Sequence, residues 1–133
     1  MTKMTIDTQN YVDTAESVIK KLSQKKDKKG KSVPMVTTSK IRNLLAMIAD
    51  IYNEVMSGDN QKLSEEICAK IEYLRVRFIY EAGREDKVKD LVREAEILDN
   101  LKGIGNSKEN FILFNRYMEA LVAFHRFYNG NDI

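Results

Sequence analysis

A chain of 133 residues is long enough for one domain with one core and too short for two. Its 43% hydrophobic and 32% charged residues are the mixture of a folded chain with a charged surface, which excludes a disordered polymer. The formal net charge of +2 hides an uneven distribution: residues 1–31 carry eight lysines against four acids, residues 32–84 seven of each sign, and residues 85–133 seven basic against nine acidic.

With one proline and six glycines, breakers are few, and a single compact all-α bundle of about five helices is expected over residues 1–133. The first helix is read from about Asp7 to Leu22, with Tyr11, Ala15, Val18, Ile19 and Leu22 at helical spacing. Seven lysines and Asp27 then crowd residues 20–31, and Gly30 and Pro34 mark a flexible Lys-rich loop around residues 24–36. The second helix follows Thr37 and Thr38, either of which is a suitable cap, and carries Ile41, Leu44, Leu45, Ile48, Ile51, Tyr52 and Val55 on one broad face before Gly58.

The third helix is read from about Asn60 to Ala82 on Leu63, Ile67, Ile71, Leu74 and Phe78, with Gly83 ending it in a left-handed conformation. Val76, Ile79 and Tyr80 add apolar surface on other sides, so its second half is expected to be central in the fold. A fourth helix is expected from about Glu85 to Leu101 on Val88, Leu91, Val92, Ala95 and Leu98, with breaks at Gly103 and Gly105. The fifth begins near Asn106 or Ser107, where Asn106 to Glu109 resembles a capping box, and runs to Tyr128. Only Asn115, Arg116, Glu119 and Arg126 form a polar strip on it, so it is expected to be the bundle core or half of an oligomer interface.

Catalytic and metal chemistry find little support. Gly30-Lys31-Ser32 lacks the earlier glycine of a phosphate-binding loop, because position 25 is lysine, and no strand precedes it. Gly103-Ile104-Gly105 fails as a dinucleotide motif for similar reasons. One histidine, His125, and one cysteine, Cys68, cannot supply the roughly four ligands of a structural zinc. His125 is read as a hydrogen-bonded core or interface residue. No catalytic residue, metal or cofactor is expected. Cys68 alone forms no intrachain disulfide, no apolar run approaches the roughly 20 residues that span a bilayer, and residues 1–10 lack a signal-peptide core, so cytoplasmic residence without a membrane contact is expected.

The basic residues say more. Lys40 and Arg42 fall in the first turn of the second helix, where free N–H groups already present positive potential, and together they make a reasonable phosphate site. Arg75 and Arg77 lie about 160° apart on a helical wheel, so one face cannot present both to one phosphate. Arg84, just past the expected helix end, is in reach of the last carbonyls or a ligand, with Glu72, Glu81 and Glu85 as competing partners for these arginines.

Four segments carry a resemblance: Thr37-Thr-Ser-Lys-Ile-Arg-Asn-Leu-Leu45, Leu74-Arg-Val-Arg-Phe-Ile-Tyr-Glu-Ala-Gly-Arg84, Lys87-Val-Lys-Asp-Leu-Val92, and the run from Phe111 to Tyr128. In this order they resemble the small helical subunit of the type III-A CRISPR effector, the Csm complex. The resemblance implies a non-catalytic helical protein, several copies of which stack along a ribonucleoprotein in antiviral defence. Its implied partners are guide RNA and target RNA, held by their backbone without regard to sequence, the backbone and large subunits of the complex, and copies of itself. The basic positions it marks for RNA are Lys40, Arg42, Arg75, Arg77 and Arg84. A helical interaction module that homodimerises through its last helix is the other reading.

Overall fold

A computed structural model describes residues 3–129, the side chain of Asn129 excepted. Six helices rather than five account for the all-α fold: α1 (Tyr11–Ser23), α2 (Thr38–Ser57), α3 (Glu65–Arg84), α4 (Asp86–Glu94), α5 (Ile97–Gly103) and α6 (Lys108–Asn129). Helix α6 is the centre of one half, packed on α1 and α2, while α3 gathers α2, α4 and α5. The two halves share one core, in which Tyr117, Phe78, Phe111 and Phe114 are the largest fully buried side chains.

Local chemistry sets the helix starts. Asp7 Oδ1 accepts the amides of Gln9 and Asn10, each at 2.8 Å, and Asn10 Oδ1 accepts the Asp7 amide in turn. This side-chain turn competes with helix, so α1 opens at Tyr11 and not at Asp7. Thr37 caps α2 by accepting from the Lys40 amide at 3.2 Å. Ser64 accepts from the Ile67 amide at 3.1 Å, which delays α3 to Glu65. Ser107 caps α6 through the Asn110 amide at 3.2 Å, one residue beyond the anticipated box.

Two expectations about α3 are corrected. Gly83 does not adopt a positive φ and stays helical, and the turn is made instead by Glu85, whose extended backbone ends α3 and starts α4. The second half of α3 is also not buried all round. Its core side is Ile71, Leu74, Phe78 and Ala82, while Tyr73 is 64% exposed, Val76 54%, Ile79 51% and Tyr80 62%.

The single helix expected over residues 85–101 is two helices. Val88, Leu91, Val92 and Ala95 share one face, but on a continuous helix Ile97 and Leu101 would point to the opposite side. All six are buried, so the chain turns between Ala95 and Ile97. Glu96 takes the left-handed conformation there (φ 52°). The buried Tyr117 hydroxyl donates to the Ala95 carbonyl at 3.0 Å, satisfying an acceptor near the break. Burial pushes the Tyr117 hydroxyl far above its ordinary range, which keeps it a donor.

The last helix is core along most of its length, with Phe111, Phe114, Tyr117, Met118 and Leu121 all inside the chain's own bundle. Asn115, assigned above to a polar strip, is buried as well. His125 is a buried residue whose Nε2 lies 2.6 Å from the Val36 carbonyl, which ties the end of α6 to the segment leading into α2.

Candidate nucleic-acid interface

Helices α2 and α3 run antiparallel. Lys40 at the start of α2 meets Glu81 near the end of α3, and Glu54 near the end of α2 meets Lys70 near the start of α3. The seam between them opens into a groove of about 550 Å³ lined by Asp50, Glu54, Lys70, Tyr73 and Arg77 among others.

Each anticipated basic residue has a definite place. Lys40 is half-buried and turned into the seam, its Nζ 2.6 Å from Glu81 Oε1 and 3.8 Å from Glu85 Oε2. Its charge is therefore shared with two carboxylates. Arg77 lines the groove and has no carboxylate within ion-pair distance among the described residues. Arg84 projects from the same flank of α3, 3.6 Å from Glu81 Oε2 and 5.7 Å from the centre of the Tyr80 ring.

Arg75 points to the other flank and pairs with Glu72 at 3.1 Å. Arg42 is exposed on the far side of α2 from Lys40, in a second groove of about 400 Å³ against Asn115, Glu119 and Val122 of α6. The structure thus brings Lys40, Arg77 and Arg84 together and leaves Arg42 and Arg75 apart.

Sequence reasoning missed the company that Arg77 and Arg84 keep. Lys70, Tyr73, Arg77, Tyr80 and Arg84 recur at steps of three and four and so form one stripe along α3. Both tyrosines in it are exposed. A stripe alternating cations with open aromatic rings offers both ionic and stacking contacts to a nucleic acid. The signal was present as spacing, but it was absorbed into the apolar pattern of a helix read as buried. Among the described residues no group of three or more His, Cys, Asp or Glu side chains is placed to hold a metal ion. No helix there is long and apolar enough to cross a membrane.

Glu81 is the hub of the seam. Its hydrogen bond from Lys40, with the charges of Lys40, Arg84 and Arg77 added, holds its carboxyl below the ordinary value near 4.5 against the opposing effect of burial. A depressed folded-state pKa contributes stability above the ordinary value, and that contribution is lost as pH falls through the lowered one. Glu81→Gln is accordingly expected to lower the urea midpoint at neutral pH and to flatten its decline below pH 4.5. Glu72→Gln, which breaks an exposed pair, is expected to move neither. Urea midpoints measured across that range check both, and identical pH profiles for Glu81→Gln and the unaltered chain would contradict the assignment.

The comparisons with known proteins agree on a family. A family model described as Csm2 Type III-A matches residues 16–131. A Streptococcus thermophilus protein named "CRISPR system Cms protein Csm2" is 44% identical over 124 residues, 93% of this chain and 95% of its own. Its namesake from Mycobacterium tuberculosis (strain ATCC 25618 / H37Rv) is 40% identical over 129 residues, 97% of this chain and 99% of its own. One from Enterococcus italicus is 37% identical over 125 residues, 89% of each chain. Matched from near its first helix to near its last residue, the chain belongs to the Csm2 family, the small subunit of the type III-A CRISPR complex.

Proposed function

We propose that the chain is a non-catalytic subunit that stacks along a type III-A ribonucleoprotein and holds the guide RNA–target RNA duplex by its backbone. The α2–α3 seam is its main contact, with Arg77 and Arg84 as the phosphate ligands and Lys40 fixing the seam. The observation that carries this reading is Arg77, an exposed guanidinium without a carboxylate partner among the described residues, in a stripe with Tyr73, Tyr80 and Arg84. Backbone contacts suit a subunit that must accept any guide, because base edges carry the sequence. Arg42, on the α6 side of α2, supplies a separate phosphate contact. A single copy binds weakly, and repeated copies supply avidity.

Fluorescence anisotropy with two unrelated RNA duplexes tests the reading. Binding is expected to weaken linearly in log K against log salt, equally for both duplexes. The triple variant Arg42→Ala, Arg77→Ala, Arg84→Ala is expected to lower that slope by about 2–3, close to one unit per lost phosphate contact. Arg75→Ala, on the opposite flank, is expected to stay near the parent slope. A strong preference for one RNA, or an unchanged slope in the triple variant, overturns the reading.

A homodimer is the second reading, and one observation favours it: Tyr73, Val76, Ile79 and Tyr80 leave an apolar face uncovered on α3. The surface that α6 adds is Phe127, 77% exposed, beside Tyr128. Light scattering is expected to give a dimer mass that Val76→Glu reduces to a monomer. A strictly monomeric parent chain rules this reading out.

A further inference from the structure

The lysine-rich segment is a built element. Residues 25–33 fold back on themselves as a short hairpin: the Val33 amide donates to the Lys25 carbonyl at 2.9 Å and the Asp27 amide to the Lys31 carbonyl at 2.8 Å. Lys26 and Ser32 pair across it, and Gly30 (φ 81°) makes the reversal. Asp27 is the only acid in the hairpin. Its Oδ1 is turned onto the backbone, accepting the amides of Lys29 at 2.8 Å and Lys31 at 3.0 Å.

The lysines divide into two groups. Those at the base are matched: Lys25 Nζ lies 2.6 Å from Asp90, which moors the hairpin to α4, and Lys21 Nζ, on α1 just before it, lies 3.7 Å from Glu94. Lys20 faces Glu16 at 4.0 Å. Those at the tip are not matched. Lys26, Lys28, Lys29 and Lys31 are all exposed, and none has a carboxylate within ion-pair distance among the described residues. Four like charges on so short a turn repel one another, and the only acid within the turn is committed to holding its shape.

We infer that the 25–33 hairpin is a second phosphate-binding element, a basic finger that grips a nucleic-acid backbone independently of the α2–α3 seam. The inference shares the RNA ligand of the reading above but uses none of its residues. Lysine suits the task as a compact charge that meets phosphates without demanding one geometry. An acidic protein surface is a poorer fit, because residues 24–34 offer no aromatic or arginine anchor of the kind that dominates protein interfaces.

The test is a salt series of RNA-duplex titrations on the full chain. Its variants are Lys26→Gln/Lys28→Gln/Lys29→Gln/Lys31→Gln, the matching quadruple Lys→Arg, and Arg77→Ala/Arg84→Ala. The Gln variant is expected to melt like the parent and to lose about 2–3 units of log K–log salt slope. The Arg variant is expected to keep the parent slope, which assigns the loss to charge. An unchanged slope in the Gln variant overturns the inference and leaves the seam reading standing. Loss in the Gln variant with none in Arg77→Ala/Arg84→Ala keeps the inference and overturns the seam. Unaltered RNA binding together with lost retention on immobilised polyglutamate makes the hairpin protein-facing and also overturns it.

Discussion

Phe78→Ala is expected to remove roughly 3–5 kcal/mol of unfolding free energy, the usual cost of emptying a fully buried aromatic site. Phe78 is fully enclosed on the side of α3 that faces the rest of the bundle. Its loss leaves a cavity on the inner side of α3, the helix that packs against α2, α4 and α5. For a domain with a total stability of about 5–15 kcal/mol, this is a large share. Tyr80→Ala, two positions along the same helix, is expected to change stability by less than about 1 kcal/mol, mostly the ring's contact with Arg84. Urea unfolding decides: the midpoint of Phe78→Ala falls with an unchanged slope, and that of Tyr80→Ala stays near the parent. Equal losses at the two positions would contradict the face assignment. If Tyr80 weakens RNA binding while sparing the fold, its exposure serves the ligand.

That contrast shows where the sequence was readable. Ile41, Leu44, Ile48, Ile51 and Val55 keep one phase through α2, and all are buried as their spacing implies. The wheel also separated Arg75 from Arg77 correctly, since one pairs with Glu72 and the other lines the groove. Apolar residues on α3 misled because composition does not distinguish a side chain packed in its own core from one left open on the surface. The break before α5 carries neither glycine nor proline. Its signal was a shift in the phase of burial between Ala95 and Ile97, which only matters once both sets have a core to reach. The pairing of Lys40 with Glu81 was not legible, because Glu81 stands 41 residues away, beyond any local pattern. The candidate stripe on α3 was legible as spacing, and the groove beside it was not, because the groove depends on how α2 lies against α3.

The same limit hides Asn100, a buried polar residue whose partner Thr5 lies 95 residues upstream. Its Oδ1 accepts the Thr5 amide at 2.7 Å, and its Nδ2 donates to Thr5 Oγ1 at 2.8 Å and to the Glu96 carbonyl at 3.0 Å. One side chain therefore anchors the N-terminal segment and steadies the left-handed turn between α4 and α5. Asn100→Ala is expected to cost about 2–4 kcal/mol, since partners are left unsatisfied as well as bonds lost.

Gly103 guards the same contact. Replacing a helical glycine with alanine ordinarily gains up to about 1 kcal/mol. Here an added Cβ would stand 2.6 Å from the Met4 amide nitrogen, which is backbone and cannot rotate aside. The sign therefore reverses, and Gly103→Ala is expected to cost about 1–3 kcal/mol by pushing residues 3 and 4 off α5. Because both substitutions release one segment, the double variant is expected to lose clearly less than the sum of the two. Hydrogen exchange at the amide of Thr5, which donates to Asn100 Oδ1 at 2.7 Å, reports that release directly. Full additivity in urea unfolding, or a parent-like Thr5 amide in Gly103→Ala, would show that the segment is held by something other than Asn100 and the open face of Gly103.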